Sequence, residues 1–145
     1  MIRLERRIEV DRPATEVFER LTHIEEVPRW QPAVLEAAVT SPGELAAGST
    51  LRIVVDTPGR PTEAIGRLVD FEPPERIALE VAAGSTTVWA DVTVLPVDAS
   101  SSAVELRTEV ALGGMLRFVE GMARARIEAE APEAAAAIKR WLEDD

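Results

Sequence analysis

At 145 residues, 46% apolar and 29% charged, the chain reads as a single globular domain over residues 1–145, and it holds nothing near the roughly 20 consecutive apolar residues of a membrane span. A formal charge of −10, with fifteen of the sixteen basic residues being Arg scattered among acids, argues against a nucleic-acid partner, which needs clustered cations. There is no Cys and no Tyr, and His23 is the one His, so the common zinc sites are excluded and Cys/His or Ser-His-Asp catalysis would have to fall on His23.

Ile2, Leu4, Ile8 and Val10 share one face of a first strand, with Arg3, Glu5, Arg7 and Glu9 on the other. Arg6 breaks the alternation by putting a charge on the apolar face. This alternating start reads as a strand and not as a signal peptide, and with no cysteine in the chain it points to the cytoplasm. Asp11-Arg12-Pro13 turns the chain into a short helix over Ala14–Leu21, whose inward stripe is Val17, Phe18 and Leu21. A second helical turn, Ile24–Val27, is expected to stop before Pro28, because a residue preceding proline avoids the α region. His23 sits between the two as a turn or cap residue, and Pro28-Arg29-Trp30-Gln31-Pro32 forms a rigid elbow presenting one large aromatic.

Six strands follow, at Val34–Thr40, Thr50–Asp56, Glu63–Phe71, Ile77–Ala82, Thr86–Leu95 and Ala103–Leu112. Most are separated by Pro42-Gly43, Pro58-Gly59, Pro73-Pro74, Gly84 or Asp98-Ala99-Ser100. Connections this short require an antiparallel sheet. Leu51/Ile53/Val55, Ile77/Leu79/Val81 and Val104/Leu106/Val110 each define one apolar face, while the strand around Trp89 alternates too weakly to assign. After Gly113-Gly114, Leu116, Val119, Ala123, Ile127, Ala131, Ala134, Ile138 and Trp141 recur at steps of three and four, which predicts one amphipathic helix from Met115 to Glu143. Pro132 and Gly121 would bend it. The fold class is therefore α+β: a seven-stranded curved antiparallel sheet gripping a long C-terminal helix, with two short helices between the first two strands.

That order of elements, and several local motifs, resemble the START-like (SRPBCC), or helix-grip, superfamily, in its polyketide cyclase/dehydrase and lipid-transport branch. The matching pieces are Ile8 to Phe18, the Pro28–Pro32 elbow, Ala47-Gly48-Ser49-Thr50-Leu51, Phe71-Glu72-Pro73-Pro74-Glu75-Arg76-Ile77, and the closing Trp141-Leu142-Glu143. The resemblance implies a cavity between helix and sheet and supplies no fixed catalytic set. Its members bind lipids, sterols, hormones or polyketides, some cyclise or dehydrate polyketides, and others act through protein partners, so the site must decide.

The residues placed to line such a cavity are Trp30, Val55, Phe71, Trp89, Met115, Phe118, Val119 and Met122, with Arg6, Thr108 and Glu120 as polar contacts. Leu116, Ile127, Ile138 and Trp141 are assigned to the core. Glu120 and Glu130 lie within about 40° of the helix stripe's centre at ~100° per residue. They pair either with Arg124 and Arg126 one turn away, or with Arg6 across the cavity. The expected function is binding of a small hydrophobic or aromatic molecule. The alternatives are a polyketide cyclase or dehydratase acting in the same cavity without metal, cofactor or Cys/His chemistry, and a protein-interaction module. A homodimer is left open.

Overall fold

In the computed structural model, residues 1–57 and 60–144 are described. The element order is β1 (Ile2–Val10), α1 (Ala14–Leu21), a 3-10 helix (Ile24–Arg29), β2 (Val34–Val39), β3 (Thr50–Thr57), β4 (Arg60–Glu72), β5 (Arg76–Ala83), β6 (Thr86–Pro96), β7 (Ser102–Ala111), a second 3-10 helix (Gly114–Val119) and α2 (Glu120–Glu143). The seven strands make one antiparallel sheet in the order β1-β7-β6-β5-β4-β3-β2. From β2 to β7 the chain is a meander, because each connection is too short to cross over. β1, released from that meander by α1 and the first 3-10 helix, closes on β7 in an unbroken register from Ile2↔Val110 to Val10↔Ser102.

One irregularity matters for the core. Between Leu68 and Asp70 the β4–β5 register slips, so Val69 is an extra residue. The slip keeps Leu68 facing inward and turns Phe71 inward as well, where its ring meets Phe18 at 5.8 Å. It also turns Asp70 outward to Arg76, 3.0 Å away.

Two apolar clusters fill the concave side. One joins Val17, Phe18 and Leu21 of α1 and Ile138, Trp141 and Leu142 of α2 to Ile8, Val10, Leu68, Ile77, Val94 and Val104. The other gathers Ala37, Leu51, Ile53 and Ala64 of β2–β4 under Ile24 of the first 3-10 helix. Helix α2 runs alongside β1 in the same direction. Arg124 donates to the Met1 carbonyl, Lys139 to the Glu9 carbonyl, and the Asp11 amide donates to Glu143. About 1.5 Å per helix residue against about 3.3 Å per strand residue keeps the two in step over their whole length.

The structure corrects several sequence expectations. The helix does not begin at Met115: its first turn is the 3-10 segment, and Leu116, assigned to the core, is 48% exposed. Since α2 starts level with Met1, that turn lies beyond the end of β1, where no strand covers it. The first 3-10 helix continues through Pro28 to Arg29, and β4 starts at Arg60, earlier than expected. The Pro58-Gly59 turn lies outside the described residues.

Candidate functional site

Strand pairing arranges the concave face in rows. Ile8, Val104 and Val94 form one row, at 5%, 0% and 1% exposure, beneath α1 and the C-terminal half of α2. The next row is Arg6, Leu106, Val92 and Ile77, then Leu4, Thr108, Ala90 and Leu79, then Ile2, Val110, Val88 and Val81. In these three rows every inward side chain except Ile2 and Ile77 is only half-buried. The strands are equally apolar at both ends, so the difference comes from what covers them.

The cover is α2. Its buried residues are Ala131, Ile138, Trp141 and Leu142, whereas the segment before them contributes none. Met115, Phe118 and Met122 stand 85%, 88% and 75% exposed, with Val119 exposed too. The inward stripe of its middle carries Ala123, Ile127 and Ala131, of which Ile127, expected in the core, is only half-buried. Gly113 fixes where the chain leaves β7: a Cβ there would come within 2.3 Å of the Ser85 carbonyl oxygen, so only glycine lets the β5–β6 turn approach so closely. The half-buried rows beside the first half of α2 make a candidate groove, closed at the Ile8–Val104–Val94 row.

Of the nominated residues, Arg6 and Thr108 share the groove floor, on adjacent rows of neighbouring strands. Among the described residues Arg6 is the single ionisable side chain on the concave face, and its Nε is buried without a hydrogen-bond partner. The pairing of Arg6 with Glu120 or Glu130 is not found. Glu130 is held by Arg126 at 3.1 Å, while Glu120 lies 4.0 Å from Arg124 and accepts from the Met1 amino group. That amino group is the main cause of a Glu120 pKa below the ordinary carboxylate range. Local pairing prevails because partners one helical turn apart need no reach across the fold.

Trp30 and Phe71 sit at the closed end. Trp30 packs on Trp141 with ring centroids 5.8 Å apart, its own Nε1 buried and unpartnered, and Phe71 packs on Phe18. Val55 is half-buried against the second cluster, at the far side of the sheet. Trp89 is on the other face altogether: it opposes Glu80 and Glu109 and lines an outer hollow of about 420 Å³ with Met1, Val69 and Ala78. A larger outer hollow of about 630 Å³ is walled by ion pairs, including Arg76 with Asp91 at 2.6 Å and Arg107 with Glu5 at 3.0 Å, and Arg6 and Leu106 also border it. Its paired charges already satisfy one another. His23 serves the elbow, where its Nδ1 lies 2.7 Å from Glu26 and holds that carboxyl below its usual range.

Sequence reasoning missed most of the groove floor: Leu4, Leu79, Val81, Val88, Ala90, Val92 and Val110. The inward faces of β5 and β7 were readable. Those of β6 became so only when its register against them was known.

Comparison with known proteins agrees with this architecture. The sequence model of the family described as polyketide cyclase / dehydrase and lipid transport matches residues 1–143. No curated protein matches the sequence. Among solved structures, the Zhui aromatase/cyclase from Streptomyces sp. R1128 is 18% identical with a TM-score of 0.75, covering 97% of this chain and 90% of its own. A START superfamily protein from Mycobacterium smegmatis is 17% identical with a TM-score of 0.77, covering 97% and 96%. Truncated norcoclaurine synthase from Thalictrum flavum is 16% identical with a TM-score of 0.68, covering 99% and 94%. At these identities the likeness is one of fold.

Proposed function

The chain belongs to the polyketide cyclase/dehydrase and lipid transport family, and from that premise we propose that it binds a small hydrophobic or aromatic molecule in the groove between the first half of α2 and the open rows of the sheet. The observation that carries this reading is the burial gradient along β6 and β7. Their inward side chains are sealed at Val94 and Val104 and half-open from Val92 to Val88 and from Leu106 to Val110, beside a helix segment whose own large apolar residues are exposed. Apolar surface left open on the sheet wall of a cleft is a setting in which an apolar guest gains from leaving water. Met115, Phe118, Val119 and Met122 border the mouth, and Arg6, Thr108 and the rows around them serve as the floor.

The polar groups on that floor favour holding over proton transfer. The concave face offers Arg6 and the hydroxyls of Thr62, Thr86 and Thr108, whereas general acid–base chemistry draws on a group that exchanges protons near neutral pH. Native mass spectrometry of freshly purified protein, followed by calorimetric titration with dodecanol and methyl 2-naphthoate, tests the reading. Binding of either probe that weakens when Leu106 or Val92 is changed to a bulky Trp supports it. No binding by any member of the panel, with no co-purified molecule, defeats it.

A further inference from the structure

We infer that the guest is an amphipathic organic anion, whose carboxylate is held by Arg6 at the deep end of the groove while its apolar body runs toward the exposed end of α2. This rests on the reading of the groove given above and adds the chemistry and direction of the ligand.

The argument begins with a charge that has no partner. A guanidinium stays protonated at any physiological pH, so Arg6 is a permanent cation. It stands on a face that is otherwise carbon and hydroxyl, and its Nε donor is shut off from water with no acceptor. A buried donor or charge without a partner is a standing penalty, removed by supplying an acceptor. Among the described residues the protein's own acids do not supply one. Glu5 and Glu9 lie near Arg6 on β1 but point to the convex side. Glu105 and Glu109 of β7 do the same, as partners of Arg7 and Arg3. On α2, Glu120 and Glu130 are engaged by other cations, and Glu128 and Glu133 are exposed.

Position makes this vacancy a feature of the groove. Arg6 is in the first half-open row, directly against the sealed Ile8–Val104–Val94 row, and so lies at the bottom of the cleft. By its strand position, between the Arg124–Met1 and Lys139–Glu9 contacts, it is level with the middle of α2. The adjacent row brings Thr108, whose hydroxyl makes no hydrogen bond among the described residues, and Ala90, whose small side chain leaves a trough between Leu4 and Leu79. A planar carboxylate suits the guanidinium fork and can take a further bond from Thr108. From Arg6 outward, the Thr108 row and the one after it carry Leu79, Val81, Val88 and Val110 over roughly 14 Å at two residues per row. Charge at the base and hydrocarbon above give the guest one orientation, head inward.

The experiment compares ligands that share a body and differ at the head: dodecanoate with dodecanol, and 2-naphthoate with methyl 2-naphthoate, by calorimetry on the full chain. The acids should bind at least about tenfold more tightly than their neutral partners, the factor expected of one charge-assisted contact. Arg6→Met should erase that preference, bringing the affinity for dodecanoate to within about twofold of that for dodecanol in the same variant, Arg6→Lys should keep part of it, and Thr108→Val should reduce it a few-fold. Equal binding of acid and neutral partner by the native protein would overturn the assignment of the anion while leaving the groove's function intact. A preference for acids that survives in Arg6→Met would overturn it too, by placing the anion elsewhere. If neither acids nor neutral compounds bind, the groove reading itself fails and the inference goes with it.

Discussion

Val104 and Leu106 stand two residues apart on β7 and face the same way, yet the first is fully sealed and the second half-open. The same step separates Ile8 from Arg6 on β1 and Val94 from Val92 on β6. Local sequence does not explain it, since all but Arg6 are ordinary inward strand residues. What changes is the cover: α1 and Ile138, Trp141 and Leu142 of α2 lie over one end, and over the other α2 presents alanines and exposed methionines. One helix thus does two jobs, closing the fold with its last turns and leaving a cleft with its first. The first job sets stability. The second sets what can bind.

The most direct way to break this division is to cut both halves of the helix. Ile138→Ala, at 1% exposure, should lose roughly 2–5 kcal/mol in urea unfolding, from lost transfer energy and a cavity. A loss below about 0.5 kcal/mol would mean that the closed end is not the stabilising one. Gly113→Ala should cost about 1–3 kcal/mol, because its Cβ would meet the Ser85 carbonyl at 2.3 Å and push the β5–β6 turn from the start of the helix. Arg6→Met should move stability the other way in the absence of ligand, by about 1 kcal/mol or more, by removing an unpartnered donor. A site that stabilises the fold when mutated is the signature of a residue kept for binding.

A pH titration sharpens the closed end. The Asp11 amide and then Lys139 hold Glu143 below its ordinary value of 4.5. A lowered carboxylate means that the folded state binds fewer protons than the unfolded one in that range. The clasp between β1 and α2 is therefore present above about pH 4.5 and lost as the pH falls through the lower, folded value. Glu143→Gln should flatten the acid limb of stability against pH and leave neutral ligand affinity alone. The smallest stability effect belongs to the open end: Phe118→Ala, at 88% exposure, should stay within about 0.5 kcal/mol by urea while weakening dodecanol binding.

Much of this was readable beforehand, for reasons that can be named. The period-2 alternation of Leu51, Ile53 and Val55 and of Ile77, Leu79 and Val81 fixed which face turns inward, since slipping by one residue would expose every apolar side chain. Arg6 was identifiable as a charge out of phase, and Thr108 as a lone hydroxyl between Leu106 and Val110. Trp89 was not: its strand carries apolar residues on both parities, so only pairing with Glu80 and Glu109 sends it outward. Phe71 does turn inward, because the bulge at Val69 resets the phase after Leu68, but it lies against Phe18 at the closed end, a contact set by α1 and not by its own strand.

By itself the sequence determined the elements, their order and the inward face of most strands, because alternation, turn residues and helical spacing are local properties of the chain. Only the tertiary structure decided where the helix closes down and where it stands away, which acids are already engaged, and that the buried Arg6 Nε is left without a partner among the described residues. Those are properties of what lies opposite a residue, and what lies opposite is set by packing across a hundred residues of intervening chain.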